Sequence, residues 1–124
     1  MRPFIALAAL LAFGAVATAH HSPVAVFDMD KRVTQKGTFK AVHWTNPHVN
    51  FDVEVLKDGK PMTWQFESHG VSYFTRNGIR LRDFQAKIGL GVEVLAQPAI
   101  NGNPFGFVRV MKFADGTEFK MFED

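Results

Sequence analysis

The sequence predicts a mainly β domain: a small OB-like, partly open barrel of five to six strands, with one short helix between strands three and four. Two observations predict this class. Apolar and polar residues alternate through several segments after residue 33, as they do in half-buried strands. Residues 68–78 interrupt the alternation with helical spacing, and three strands, a helix and then further strands is the order of an OB-fold. A β-sandwich without the helix is the alternative.

The first three strands are predicted to form a meander. Strand one covers Lys36–Trp44, Asn46-Pro47 is a turn, and strand two covers His48–Val55. Strand two places four apolar residues on one face and four polar residues on the other, namely Val49, Phe51, Val53 and Val55 against His48, Asn50, Asp52 and Glu54. The Asp58-Gly59 pair favours a tight hairpin into strand three, whose inner face carries Met62, Trp64 and Phe66.

The second half of the chain completes the predicted barrel. A short helix is expected within Ser68–Gly78, because Asn77-Gly78 is a typical helix stop, and Asp83–Lys87 is expected to add a turn. Strand four carries Leu90, Val92, Val94 and Ala96 on one face. Phe105–Phe113 and Thr117–Phe122 are expected to form a last hairpin around Asp115-Gly116. Thirteen phenylalanines supply much of the expected interior.

The N terminus has the pattern of a secretory signal peptide. Arg2 is the positive residue, Phe4–Ala17 is an apolar run too short to span a bilayer, and Ala17-Thr18-Ala19 is a small-residue cleavage site. Removal of residues 1–19 leaves 105 residues, which we divide into a leader at 20–33 and one barrel domain at 34–124. We therefore expect a periplasmic or secreted protein without stable membrane insertion after signal removal.

Composition excludes several classes of function. The chain has no cysteine, which excludes a lipoprotein anchor, a covalent c-type haem, an iron–sulfur cluster and a thiolate copper centre. The formal charge of +2 falls to +1 when Arg2 leaves with the signal, so nucleic acid is not an expected partner. Histidine, carboxylate and methionine remain as ligands, although Met62, Met111 and Met121 lie in strand patterns and are expected to fill the core.

The histidines predict a metal site. Cleavage after Ala19 makes His20 the first residue, whose amine and imidazole can chelate a metal, and a second histidine would complete a histidine brace. Nitrogen ligands of this kind favour copper, whereas zinc fits less well because a four-ligand tetrahedral set is not evident. Cleavage after Ala17 would place His20 third, which also chelates copper or nickel. The predicted metal ligands are His20, His21 and His48, with His43 as an accessory.

The spacing around Asn46-Pro47 supports that ligand set. A two-residue loop would place Thr45 opposite His48 and His43 opposite Asn50, all on one face. The two histidines would then be diagonal neighbours roughly 7 to 8 Å apart, a separation that two imidazoles can bridge at one ion. His69, at the expected junction between strand and helix, is predicted to be a polar cap or a surface residue.

The run Ala19-His20-His21-Ser22 with Phe27-Asp28, followed by the WTNPH segment at residues 44–48, resembles a family of small exported bacterial proteins of unknown function. The likeness extends through most of the mature chain and includes Trp64 and Ala114-Asp115-Gly116. It implies an OB-like domain with two signature stretches, His-His-Ser at the start and Trp-x-Asn-Pro-His. His43 and His69 depart from the family pattern, so a role for either would be particular to this chain.

Three functions follow from these observations. The leading one is a soluble exported metal-binding protein that acts as a carrier, a scavenger or an accessory to another periplasmic protein. The second is a non-metal OB-like module that binds a small molecule, a glycan or a partner protein, with Trp44, Trp64 and Phe105 as candidate contact aromatics and Asn46 as a further candidate contact. The third is an enzyme, because an open copper position can activate oxygen, but no catalytic motif or organic cofactor site supports it.

Overall fold

A computed structural model describes residues 22–122, so His20 and His21 lie outside the described residues. Six strands and three short helices follow one another along this part of the chain: α1 (Pro23–Val26), β1 (Val33–His43), β2 (Asn50–Lys57), β3 (Lys60–Glu67), α2 (Val71–Arg76), α3 (Leu81–Gln85), β4 (Gly91–Pro98), β5 (Phe105–Phe113) and β6 (Glu118–Lys120). Among these residues, no helix is both long enough and apolar enough to cross a membrane.

The sheet closes into a barrel. Its strand order is β3-β2-β1-β4-β5-β6, and β3 also pairs in parallel with β5 from Gln65↔Phe105 to Glu67↔Phe107. The first five strands therefore form a closed barrel, while β6 extends it at one edge. The predicted mainly β, OB-like barrel is confirmed, but its five strands close completely rather than partly, and two helices instead of one lie between strands three and four. The β-sandwich alternative is wrong, because the pairing of β3 with β5 closes one sheet on itself.

Alternation along the strands produces the core. The inward positions are fully buried apolar residues, among them Phe39, Phe51, Val53, Phe66, Val94, Val108 and Met111. Burial of one such phenylalanine stabilises a fold by about 1.5–3 kcal/mol. The predicted core role of the methionines is confirmed, because Met111 and Met121 are buried and Met62 packs against the core.

The two helices between β3 and β4 cover one end of the barrel. Phe74 of α2 and Phe84 of α3 are fully buried and meet the Phe51 ring, with centroids 6.4 and 4.8 Å away respectively. The helix predicted within Ser68–Gly78 is present but covers only Val71–Arg76, and Gly78 beyond it has a positive φ of 73°. The turn expected at Asp83–Lys87 is instead a helix that begins at Leu81, since the Asp83 carboxylate accepts the Arg80 backbone N–H at 2.7 Å.

The segment before β1 packs against the barrel. Phe27 is 1% exposed, forms a bridge with Ala99, and lies against the rings of Phe105 and Phe107 at 4.9 and 5.4 Å. The N–H of Ile100 donates to the Val26 carbonyl at 2.9 Å. Hydrogen bonds and apolar contacts therefore fix this part of the leader beside β5.

Candidate functional site

The WTNPH segment lies in the connection between β1 and β2. The predicted pairing of His43 with Asn50 is confirmed, but the ladder ends at that pair, so the connection covers residues 44–49 rather than Asn46-Pro47 alone. Val49 explains the early end, because its N–H donates to the His69 carbonyl at 2.8 Å, on the β3 side of the sheet. The Asn46–Pro47 peptide bond is cis, and the Thr45 hydroxyl donates to the His48 carbonyl at 3.2 Å.

His48 has a defined orientation. Its Nδ1 lies 2.9 Å from the Ser68 carbonyl oxygen, which can only accept, so Nδ1–H is the donor. A neutral His48 therefore carries its lone pair on Nε2, and that atom lies 3.5 Å from Oε1 of Glu67. The His48 side chain is 31% exposed and the Glu67 side chain 18%, so the pair is partly shielded but reachable from solvent.

His43 forms a second pair with a carboxylate. Its Nε2 lies 2.9 Å from Oδ2 of Asp52, and its side chain is 47% exposed. The two histidines therefore contact different carboxylates: His43 contacts Asp52 on β2, and His48 contacts Glu67 at the end of β3. Within residues 22–122, no group of three or more histidine, aspartate or glutamate side chains could hold a metal ion. The predicted ligands His20 and His21 lie outside the described residues.

Sequence reasoning missed the two carboxylates as partners of the histidines. Alternation had placed Asp52 on the polar face with His48, and that placement agrees with its contact to His43. To place Glu67 beside these histidines, the register of the β2–β3 hairpin is also needed. Lys57 pairs with Lys60, and the same ladder continues until Asn50 lies opposite Glu67. The Asp58-Gly59 pair was the sequence signal for this register, because it forms a tight two-residue turn in which both residues have positive φ.

The other predicted contact residues hold the loop and the core together. Asn46 Oδ1 accepts the N–H of Val71 at 3.1 Å, which links the WTNPH segment to the first residue of α2. Trp44 is partly buried against Phe74 and Phe84, with ring centroids at 5.5 and 6.1 Å. Trp64 stacks on Phe66, and its Nε1 is buried without a hydrogen-bond partner among the described residues. Asn46 and Trp64 thus contact protein here, whereas Trp44 also borders an open groove.

His69 is neither a cap nor a simple surface residue. Its Nε2–H donates to the Met121 carbonyl at 2.7 Å, and its ring lies between those of Tyr73 and Phe122, with centroids at 3.9 and 4.6 Å. The N-cap of α2 is Gly70, one residue later. His69 was predicted as a cap or surface residue because its sequence position gave no sign that the end of the chain folds over it.

Comparison with known proteins identifies a family for this chain. A model of a family of unknown function (DUF6152) matches residues 8–109, which is most of the chain and includes β1 to β4 and the first half of β5. The chain belongs to this family. No curated protein matches it. The proposed membership in a family of unknown function is thus confirmed for this DUF6152 protein, while the assignment of His-His-Ser and Trp-x-Asn-Pro-His as signature stretches stays a prediction.

Proposed function

We propose that this DUF6152 protein is exported and binds a divalent metal ion, with copper preferred over zinc, as a carrier or as an accessory to another periplasmic protein. His48 and the mature N-terminal His20 would be the principal ligands, with His21 beside them and His43 as an accessory. The arrangement of His48 and Glu67 is the observation that carries the proposal.

The His48–Glu67 pair is suited to a cation. The Ser68 carbonyl fixes the tautomer of a neutral His48, a backbone contact that also orients metal-binding histidines. Nε2 of that neutral ring and Oε1 of Glu67 are both acceptors, and at 3.5 Å they repel each other unless a cation lies between them. A proton meets this need, and so does a metal. Two ligands at about 2.0–2.2 Å from one ion in tetrahedral directions lie at a similar separation, whereas the planar nitrogen ligation that copper favours would bring Nε2 and Oε1 slightly closer together.

The leader provides the means to complete such a site. Because the described residues contain no group of three suitable side chains, further ligands would come from His20 and His21. Phe27 is fixed against Phe107, and Phe107 is the register partner of Glu67 in the parallel β3–β5 ladder. His20 precedes Phe27 by seven residues, enough chain to reach on the order of 20 Å. The attachment point of the leader and the His48–Glu67 pair therefore share one side of the barrel.

The test is a Cu(II) competition titration with electron paramagnetic resonance, on protein expressed with its own signal and checked by mass spectrometry for a start at His20. We expect one tight equivalent of Cu(II) with nitrogen hyperfine structure. His48→Ala should weaken binding at least tenfold, and an added residue before His20 should do the same. His69→Gln is the matched control, because His69 is held by Met121, Tyr73 and Phe122 and should not contribute.

Two results would contradict the proposal. Unsaturable binding in the native-start protein would remove the metal function, and equal affinities of the His48→Ala and His69→Gln variants would remove His48 from the site. A mass that retains residues 1–19 after expression would contradict the export step. Zn(II) titrated in parallel tests the metal preference, which is wrong if Zn(II) competes Cu(II) from the protein at equal concentration.

A further inference from the structure

The arginines of this chain are unevenly distributed. Three of its six arginines, Arg76, Arg80 and Arg82, fall within seven residues around α2 and α3. No aspartate or glutamate occurs from residue 68 to residue 82. Because α3 adds one acid, Asp83, against these three arginines, the end of the barrel that α2 and α3 cover carries a net positive charge.

An open groove of about 380 Å³ lies at this positive end. Its lining consists of Trp44, Thr75, Arg80, Leu81, Arg82 and Gln85. Binding sites for small molecules have volumes of about 300–1,000 Å³ and combine apolar walls with a few polar groups. The groove has this composition, with an indole and a leucine as apolar surface and two guanidinium groups, a hydroxyl and an amide as polar groups.

The two groove arginines are available for an anion. Within the part of the chain that the structure describes, Arg80 and Arg82 form no ion pair with a carboxylate, and both residues are exposed. The nearest acid in sequence, Asp83, already accepts the backbone N–H of Arg80. A guanidinium group binds carboxylates with two parallel hydrogen bonds and stacks on planar groups.

Trp44 gives the groove a rigid aromatic wall. The packing of its ring on Phe74 and Phe84, both fully buried, fixes the indole from the core side. A side chain that is already fixed loses little conformational entropy on binding, which favours affinity. Planar rings pack well against such a wall through offset or edge-to-face contacts.

We infer that this groove binds a small planar organic anion, of the aromatic carboxylate class, with its ring against Trp44 and its carboxylate at Arg80 and Arg82. The inference is independent of the proposed metal site, because the residues differ and the favoured charge is opposite. It would give the protein a second ligand of its own at the end of the barrel covered by α2 and α3.

The test uses metal-free protein in EDTA with 2-naphthoate, followed by isothermal titration calorimetry and by the NMR signals of the tryptophan indole N–H groups. We expect saturable one-to-one binding that shifts the Trp44 signal more than the Trp64 signal. The Arg80→Gln/Arg82→Gln double variant should bind at least tenfold more weakly. Arg76→Gln is the matched control, because Arg76 lies on α2 outside the groove lining and its Nε donates to the Ser72 carbonyl.

Neutral 2-naphthol separates charge recognition from simple apolar binding. We expect it to bind at least tenfold more weakly than 2-naphthoate to the unmodified protein. Equal affinities for the two compounds would overturn the assignment of an anion site. If Arg76→Gln weakens 2-naphthoate binding as much as the double variant does, the general positive charge of the protein, and not Arg80 and Arg82, causes the binding. If binding of 2-naphthoate does not saturate, the groove is not a binding site.

Discussion

Asn46 and Val71 link the β1–β2 connection to the helical end of the barrel: the Asn46 side-chain oxygen accepts the Val71 backbone N–H at 3.1 Å. The first N–H groups of a helix have no partner within the helix, and Gly70 at the N-cap has no side chain to supply one. Asn46 therefore performs from a distance the task of a capping side chain. This contact gives a structural reason for asparagine within the WTNPH segment.

Replacing Asn46 by alanine should destabilise the fold. The expected loss in free energy of unfolding is about 1 kcal/mol, as for loss of a helix-capping side chain. Asn46→Asp retains an acceptor oxygen and should recover most of the loss. Urea denaturation followed by circular dichroism measures both variants. If the aspartate variant is as unstable as the alanine variant, the hydrogen bond to Val71 is not the source of the stability.

Gly70 is required by the close approach of the same loop. A Cβ atom at Gly70 would lie 2.8 Å from the Pro47 carbonyl oxygen, which is backbone and cannot rotate away. We expect Gly70→Ala to lower the free energy of unfolding by about 1–3 kcal/mol through overpacking. Gly91→Ala is the control, because its added Cβ would meet the Ala114 methyl at an ordinary 3.6 Å. Equal stabilities of the two variants in thermal unfolding would contradict this account.

Local pattern explains why the barrel could be predicted from the sequence and part of the site could not. Alternation along β2 and the turn pairs at Asp58-Gly59 and Asp115-Gly116 are local signals, and they placed most strands within a few residues. The contact of His69 with Met121 joins residues 52 positions apart, and no local pattern contains it. Closure of the barrel between Glu67 and Phe107 is likewise a property of the whole sheet.

The candidate site divides in the same way. A turn centred on Asn46-Pro47 predicted the pairing of His43 with Asn50, because the position and length of the loop set the register of a hairpin. It did not predict that His48 turns to Ser68 and Glu67, since this depends on how β3 continues into α2. Side-chain direction at a strand end is set by tertiary neighbours, and sequence alternation specifies only the face.

Asp115 should make stability depend on pH in the acid range. The hydrogen bond from the Lys87 ammonium group, together with the N–H and hydroxyl of Thr117, lowers the pKa of Asp115 from 3.8 to about 2. A lowered pKa means that the folded state favours the carboxylate, so the contribution to stability is present above pH 3.8 and is lost as the pH falls through about 2. Asp115→Asn should therefore be less stable than the unmodified protein at pH 5, and the difference should shrink between pH 4 and pH 2.

Urea denaturation across this pH range measures the effect of Asp115. Glu118→Gln is the control for the loss of a negative charge on the same hairpin, because Glu118 has only an exposed contact with Lys120 at 3.8 Å. Exposed pairs of this kind contribute little to stability. A difference between Asp115→Asn and the unmodified protein that stays constant from pH 5 to pH 2 would exclude the carboxylate as its source.

Phe27 should control whether the leader stays on the barrel. Its ring is buried against Phe105 and Phe107, whereas Val24 in the same segment is 66% exposed. We expect Phe27→Ala to speed amide hydrogen exchange at Asp28 and Ile100, whose N–H groups donate to the Pro98 and Val26 carbonyls. Val24→Ala removes apolar volume without a buried contact and should leave both rates unchanged. Loss of a buried phenylalanine costs about 3–5 kcal/mol, which is enough to release the leader if the Phe27 ring holds it. If the Asp28 amide stays protected in the Phe27→Ala variant, the backbone hydrogen bonds hold the leader without the ring.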